Sequence, residues 1–256
     1  MSTIDKALSV LELFSESRPS IGLSEASRLL RRDKATVQRY LTVLNERGFL
    51  DQDALTRAYH LGPAVTRLSL VRDLTYPVNT GVRNVLRKLV ADTGETAHAS
   101  HSQKNGELSV VAIAETSFKG TRVYIDPAAF LPLHASASGI AFLSALSEDT
   151  ATELLVRPLE TFTPSTAKNR KEVLKLVHQA RERGYAKMAG TLETDVVGMA
   201  APVYGFDKQA CGAVAVATPA SRFNKGVEQR NRAYLVDAAD AVSQLYGAKL
   251  SSVGAL

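Results

Sequence analysis

The sequence predicts an α+β protein made of a small helical N-terminal domain, which ends in a β-hairpin, and a larger C-terminal α/β domain. Three patterns support this fold class. Apolar residues recur at helical spacing through the first fifty residues. Two short strand-like runs then flank a turn. From His98 onward, strand-like runs alternate with amphipathic helices, which is typical of a sheet covered by helices.

Three helices and a hairpin are predicted for residues 1–61. TIDKALSVLELF forms the first helix, and IGLSEASRLLRRDK forms a short second helix with Ser24 as its N-cap. The third helix runs to about Arg47, where Gly48 supplies a left-handed residue that ends it. The strand-like GFLDQD and AYHLG enclose DALTR, which places Arg57 at the tip of a hairpin. This order is that of a winged helix-turn-helix.

Positive charge is concentrated in the second and third helices. The whole chain has a formal net charge of +5 and a pI near 9.3. Between positions 28 and 47, only Asp33 and Glu46 oppose the basic residues Arg28, Arg31, Arg32, Lys34, Arg39 and Arg47. Because this concentration is local, it predicts an anionic partner, double-stranded DNA, although a solvated helix face is the alternative explanation of the patch taken alone.

The third helix carries the residue types that read DNA bases. Arg39 can donate two hydrogen bonds to a guanine edge, and Gln38 can pair with adenine. Lys34 and Thr36 suit phosphate contacts near the helix start. Tyr40 either contacts the DNA backbone or covers the edge of the core, and Arg57 either enters the minor groove or stays solvated. The full predicted DNA-binding set is Ser24, Lys34, Thr36, Gln38, Arg39, Tyr40 and Arg57.

The remaining chain predicts a linker helix over residues 62–76 and an α/β domain over residues 77–250. Pro63 suits the first turn of the linker helix, and Gly94 ends the helix that follows. The predicted strands are LSVVAIAET, TRVYIDP, VGMAAPVYG and CGAVAVAT. The predicted helices are SASGIAFLSALS, AKNRKEVLKLVHQARERG and EQRNRAYLVDAADAVSQLYG.

Several separated motifs resemble the IclR family of bacterial transcriptional regulators. TIDKALSVLELF, GLSEASRLLRRDKATVQRYLTVLNERGFL and YHLG resemble its N-terminal domain. LPLHASASGIAFLSAL, RGY, GMAAPVY and GAVAVATPASRF extend the resemblance over about residues 3–247. It implies a winged helix-turn-helix joined to a GAF-like effector-binding domain, a palindromic operator, a small-molecule effector, and a homodimer or homotetramer. The sequence leaves open whether such a regulator recruits or blocks RNA polymerase.

The segment HASASGIAFL places small residues before an apolar helix, whose N-terminus suits a carboxylate. Tight packing of this helix on a sheet is the alternative, but in the IclR family the corresponding stretch contacts the effector. Members of that family also carry polar residues at positions where this chain has Met188, Gly198, Ala215 and Ala217. A less polar pocket is therefore expected, for an aromatic or acyl-type carboxylic acid. The predicted effector-binding set is Val123, Ser136, Ala137, Ser138, Met188, Val196, Gly198, Ala215 and Ala217.

Other chemistry finds little support in the sequence. There is no G-x-S-x-G, G-x-x-x-x-G-K or H-E-x-x-H motif, so no catalytic residue or cofactor is predicted. His98 and His101 are three apart in a strand-like segment and should face opposite sides, so no metal site is predicted either. His134 is interpreted as structural, and the single Cys211 excludes an internal disulfide.

Two alternatives to a ligand sensor remain open for the second domain. It could be an enzyme, anchored to DNA, that acts on a small carboxylic acid, or it could serve only for oligomerisation. The N-terminus lacks the pattern of a signal peptide, and no run reaches the length of a membrane span. A cytoplasmic location is therefore expected.

Overall fold

The computed structural model describes residues 3–15, 18–75, 78–103, 106–117, 120–128, 130–156 and 158–248. The chain divides into two units, Met1–Pro77 and Val78–Leu256. Within the described ranges, no helix combines the length and the apolar character needed to cross a membrane.

The first unit is a winged helix-turn-helix. Its helices are α1 (Thr3–Leu11), α2 (Leu23–Leu30), α3 (Lys34–Glu46) and α4 (Pro63–Thr75). Its antiparallel sheet has the order β1 (Ser20–Ile21), β3 (Tyr59–Leu61) and β2 (Leu50–Gln52). The sequence predicted the β2–β3 hairpin but not β1, because two residues are too few to show the alternation of a strand.

The core of the first unit draws apolar residues from three helices and all three strands. These residues are Val10, Phe14, Ile21, Ala26, Val37, Leu41, Leu44, Leu50 and Tyr59. The predicted end of α3 is confirmed, since Gly48 follows it with φ +72°. The predicted cap of α2 is wrong. Gly22 is the N-cap, and its carbonyl accepts the first helical bond from Ala26, so exposed Ser24 lies within the first turn.

The second unit is a six-stranded antiparallel sheet packed against helices. Its helices are α5 (Val78–Thr93), α6 (Ala137–Ser144), α7 (Glu148–Leu154), α8 (Arg170–Arg183) and α9 (Lys225–Leu245). Its strands are β4 (Thr96–Ser102), β5 (Leu108–Ala114), β6 (Phe130–Leu131), β7 (Ala186–Ala189), β8 (Val196–Tyr204) and β9 (Ala210–Pro219). The strand order is β6-β5-β4-β9-β8-β7.

The alternation of side chains along each strand gives this sheet two buried faces. On one face, Met199, Val214 and Val216 belong to a core shared with α5 and α9. On the other face, Ala200 and Ala215 belong to a second core shared with α6 and α8. The small residues of the second face allow α6 to lie close to the sheet, which positions the start of that helix over β8 and β9.

The sequence prediction of a strand over TRVYIDP is wrong. The described residues 120–128 contain no strand, and the sheet edge is instead formed by β6. Asp126 accepts a hydrogen bond from the Ala128 N–H at 2.8 Å, and Pro127 between them has no N–H for a ladder, so the chain turns here. The short elements α7 and β7 were not predicted. Apart from TRVYIDP, all the predicted strands and helices are present.

Candidate functional site

One candidate site is the exposed face of α3 with the turn that precedes it. Arg28, Arg31, Arg32, Lys34, Arg39 and Arg47 are all exposed. Ser27 Oγ donates to the Arg32 carbonyl at 2.6 Å, which fixes the turn between α2 and α3. The six basic residues predicted from the sequence are therefore all accessible to a partner, and we call them together the basic patch.

Arg39 occupies the outward side of α3, opposite the buried residues Val37 and Leu41. Helical spacing places exposed Ala35 and Thr42 on the same side, one turn before and one turn after it. Sequence reasoning missed these two residues because it selected long donors, although the same spacing identifies them. Methyl groups at such positions can contact thymine.

Gln38 differs from Arg39 in already having partners within the protein. Its amide nitrogen donates to the hydroxyls of Tyr59 and Thr42, each at 3.2 Å. The bond to Tyr59 ties α3 to the β3 strand of the wing, whereas the bond to Thr42 lies within α3. Gln38 can therefore pair with adenine only if its bonds to Tyr59 and Thr42 are replaced by bonds to the base. Half-buried Tyr40 packs against the apolar core of this unit.

Asp33 caps α3 by accepting a hydrogen bond from the Thr36 N–H at 2.8 Å. That bond from the Thr36 backbone lowers the pKa of Asp33, so the cap is negatively charged at neutral pH. Lys34 in the first turn is exposed and Thr36 is half-buried. Anionic DNA at this helix start therefore meets one carboxylate together with the cations of the basic patch.

The wing turn is held by Asp53. Its carboxylate accepts hydrogen bonds from the Leu55 N–H at 2.9 Å and from the Thr56 N–H at 2.6 Å, and these bonds lower its pKa. The turn continues through Arg57, which has φ +59° and an exposed side chain. Arg57 lies in the hairpin loop, as predicted, but it follows the turn residues 54–56 and stands beside the Asp53–Ala58 pair, not at the tip.

The second candidate site is a cavity of about 70 Å³ between α6 and the sheet, which we call the α6 cavity. Strand register explains its lining. Gly198 pairs with Met188 on β7 and with Ala217 on β9, and Ala215 pairs with His98 on β4. These residues therefore point to the same face of the sheet. All nine predicted effector-binding residues line this cavity, namely Val123, Ser136, Ala137, Ser138, Met188, Val196, Gly198, Ala215 and Ala217.

The start of α6 forms one wall of the α6 cavity. Ser136 is the N-cap, accepting a bond from the Gly139 N–H at 2.9 Å and donating to the Pro132 carbonyl at 2.8 Å. Among the described residues, nothing accepts a hydrogen bond from the N–H groups of Ala137 and Ser138. Two amide donors at a positive helix end are therefore available to an anion.

His98 is a lining residue that the sequence analysis considered only as a metal ligand. It is buried, and its Nε2 is hydrogen-bonded to Ser138 Oγ at 3.1 Å. Burial lowers the pKa of His98 to about 4, so the ring is neutral at pH 7. Within the described structure, its Nδ1 has no hydrogen-bond partner. The ring thus adds a polar atom without a partner to the residues that line the α6 cavity.

Two further histidines and the cysteine do not line the α6 cavity. His101 makes an edge-on contact with Tyr246, on the side of the sheet away from His98, as the spacing predicted. His134 Nε2 bonds to the Glu160 carbonyl at 2.8 Å. Burial raises the pKa of Cys211 to about 11. The described residues include no group of three or more histidine, cysteine, aspartate or glutamate side chains suited to a metal ion.

Family models match most of the chain. Residues 3–54 match the IclR helix-turn-helix domain, and residues 75–244 match the C-terminal domain of bacterial IclR transcriptional regulators. The chain belongs to the IclR family. As a member, it is a DNA-binding transcriptional regulator with a C-terminal effector domain, and the alternative of an enzyme is discarded because its relatives are regulators.

Two relatives and one further structure of the same fold are similar to this chain. The transcriptional regulator XynR of Escherichia coli K12 is 26% identical over 96% of this chain and 98% of its own. A regulator structure from Silicibacter sp. TM1040 is 34% identical, with a TM-score of 0.89 and 98% of both chains covered. An IclR homologue from Microbacterium hydrocarbonoxydans, solved with 4-hydroxybenzoate, is 20% identical with a TM-score of 0.78, covering 96% of this chain and 99% of the other.

Proposed function

We propose that this IclR-family regulator binds a palindromic operator as a homodimer or homotetramer, and that a small carboxylic acid in the α6 cavity changes its affinity for DNA. In this proposal residues 1–61 bind DNA, residues 62–76 connect, and residues 77–250 bind the effector and take part in assembly. RNA polymerase at the promoter is the further partner. The observation that carries the proposal is the start of α6, where two amides that have no partner among the described residues line a cavity.

A carboxylate is the ligand group that best suits this wall. The N–H groups of Ala137 and Ser138 provide donors at the positive end of the helix dipole. If Ser138 Oγ donates to His98 Nε2, the neutral ring carries its proton on Nδ1, and this N–H becomes a third donor. The cap residue Ser136 is uncharged, so it does not repel an anion.

The rest of the lining indicates an effector less polar than glyoxylate. Met188, Gly198, Ala215 and Ala217 contribute no polar side-chain atom to the α6 cavity. A few polar groups at one end of an apolar lining suit an amphipathic acid. The 4-hydroxybenzoate bound by the Microbacterium homologue is an acid of this class, although that protein shares only the fold with this one.

Exposed apolar side chains support assembly through the first unit. Ile4 and Leu8 on α1 are 71% and 50% exposed, and Leu68, Leu70 and Val71 on α4 are also exposed. Burying such side chains between two copies removes apolar surface from water, which favours association. Two copies related by a two-fold axis then present two α3 helices to the half-sites of a palindrome.

The DNA part is tested by fluorescence anisotropy with labelled DNA from upstream of the gene, against scrambled DNA, at two salt concentrations. Arg39→Ala is expected to lose about 1–3 kcal/mol of the preference for the upstream DNA, since Arg39 is the outward donor of α3. Arg230→Ala is the matched control, because Arg230 is an exposed arginine on α9 in the second unit. If both substitutions weakened DNA binding equally, Arg39 would contribute only its positive charge and would not read a base.

The effector part is tested by thermal shift of the full-length protein with a panel of carboxylic acids and their amides. A ligand that binds only the folded state raises the melting temperature by mass action. Acids less polar than glyoxylate are expected to raise it, while the corresponding amides do not. No shift with any acid would contradict the sensor proposal and favour a domain that serves only for oligomerisation.

A further inference from the structure

The α6 cavity is too small for the class of acid that its lining favours. Its volume is about 70 Å³. A dry cavity that admits benzene has a volume of roughly 150 Å³, so a ring does not fit here beside a carboxylate. A ligand with an apolar body must therefore extend beyond the α6 cavity.

A second and larger space begins where the α6 cavity ends. This outer pocket has a volume of about 590 Å³ and lies within the second unit. Ile125, Leu131, Leu192 and Glu193 line both spaces, so these four residues form the partition between them. Ile125, Leu192 and Glu193 lie outside regular elements, in the loops 120–128 and 190–195, where side chains can move aside at smaller cost than in a strand.

The outer pocket is lined mainly by apolar and aromatic side chains. Leu154, Leu155, Pro158 and Leu159 form part of its wall. The aromatic residues Tyr124, Phe130 and Phe162 also line it, and they are 55%, 49% and 38% exposed. Aromatic side chains left this accessible around one concave space are suited to a flat or extended apolar ligand.

The charged groups of the outer pocket are acidic. Glu107, Asp126, Glu160 and Glu193 line it, and its described lining residues include no lysine or arginine. Desolvation raises the pKa of Glu193, which stands at the partition. This shift favours the neutral form of Glu193, which lessens its repulsion of a carboxylate at the partition. A second carboxylate at the distal end of a ligand would instead meet Asp126 and Glu160, which line only the outer pocket, so a neutral distal end is favoured.

From these observations we propose that the effector is an extended monocarboxylic acid. Its carboxylate lies against the amides of Ala137 and Ser138, its chain crosses the partition beside Leu131, and its apolar body occupies the outer pocket between Phe130 and Phe162. This inference rests on the proposed function and adds the length, the polarity and the charge of the ligand.

Isothermal titration calorimetry with the full-length protein tests the inference with pyruvate, hexanoate, adipate and 4-phenylbutanoate. 4-Phenylbutanoate is expected to bind at least about ten-fold more tightly than pyruvate, because its ring removes apolar surface from water in the outer pocket. Hexanoate should bind more tightly than adipate, which has the same length but a second carboxylate.

Phe130→Ala and Phe206→Ala form a matched pair of substitutions. Phe130 lines the outer pocket, whereas Phe206 lies in the turn between β8 and β9 and is 81% exposed. Phe130→Ala should weaken 4-phenylbutanoate by about ten-fold and leave pyruvate unchanged, since only the longer ligand reaches this ring. Phe206→Ala should change neither.

Two failures are distinguishable. If pyruvate binds as tightly as 4-phenylbutanoate, and Phe130→Ala changes neither affinity, the outer pocket plays no part and this inference is wrong, while the sensor proposal stands. If none of the four acids binds, the proposed function itself fails. Equal affinities for hexanoate and adipate would overturn the charge selectivity that we infer from the acidic lining.

Discussion

The two candidate sites both lie at the start of a helix, but the two helix starts are capped differently. In α3 the cap is Asp33, which is charged and exposed, and it accepts the Thr36 N–H at 2.8 Å. In α6 the cap is Ser136, which is uncharged and buried, and it accepts the Gly139 N–H at 2.9 Å. The geometry is the same, whereas the charge and the solvent exposure are opposite.

This difference indicates how each helix start treats an anion. The carboxylate of Asp33 already satisfies the positive end of α3, so we expect recognition of DNA to depend on side chains such as Arg39, which lies more than one turn along the helix. The uncharged cap of α6 leaves the amides of Ala137 and Ser138 available in a buried site. A small anion can therefore be bound by backbone alone at α6, but at α3 only together with the cations of the basic patch.

The largest expected effect concerns pH and His98, beside the start of α6. Its pKa is about 4 in the folded protein against an ordinary value of 6.5, so the unfolded state binds the proton at higher pH. Above pH 6.5, His98 is neutral in both states and causes no loss of stability. As the pH falls from 6.5 towards 4, the unfolded state gains a proton that the folded state excludes, and the free energy of unfolding falls by up to roughly 3 kcal/mol. Urea unfolding of the second unit between pH 4 and 7 measures this loss.

His98→Gln should flatten the pH dependence of the free energy of unfolding by the equivalent of one proton in that window. His178→Gln is the control, because His178 on α8 has a side chain that is 49% exposed. His178→Gln should leave the pH dependence of the free energy of unfolding the same as in the wild type. An unchanged slope in His98→Gln would show that this ring is not buried in neutral form.

A smaller effect is expected from removing the α6 cap. Ser136→Ala should lower the free energy of unfolding by about 0.5–2 kcal/mol, because the Gly139 N–H loses its partner in a buried site, while the Pro132 carbonyl keeps only its backbone bonds. Ser147→Ala removes the cap of α7, whose bond to the Thr150 N–H is longer, at 3.2 Å, and exposed. Denaturant titration should show the smaller loss in Ser147→Ala, and the reverse order would mean that burial of the cap is unimportant.

The smallest effect is expected at the α3 cap. Asp33→Ser keeps a capping oxygen but removes a negative charge facing the DNA, so operator binding should tighten by about two- to five-fold at low salt. The gain should shrink as added salt screens the charge. Anisotropy titrations would compare it with Asp237→Ser, an exposed acid on α9. Weaker binding by Asp33→Ser would indicate that Asp33 itself contacts the DNA.

The sequence predicted the first unit more completely than the second. Gly48 was predicted to end α3, and the hairpin placed Arg57 in the wing loop. These features depend on residues within one or two turns of each other. The partners of Gln38 were not predictable in the same way, because Tyr59 is 21 residues away in sequence.

In the second unit, local sequence correctly gave the nine lining positions only with the help of a family resemblance. It did not give His98 as a lining residue, because Ser138, its partner, is 40 residues away in sequence. It also mistook the loop containing Val123 for a strand, since residues that cover a cavity can be as apolar as residues in a sheet.

By itself, the sequence determined the helices and the hairpin of the first unit, the basic patch and the small-residue start of α6, because spacing, charge and turn residues act locally. Only the tertiary structure decided which polar atoms stay without a partner, how large the α6 cavity is, and that an outer pocket adjoins it at Leu131. The physical reason is that cavities and unpaired donors depend on how segments that are far apart in the sequence pack against each other. Strand register brings Met188, Gly198, Ala217 and His98 to one face, although they lie far apart in the chain.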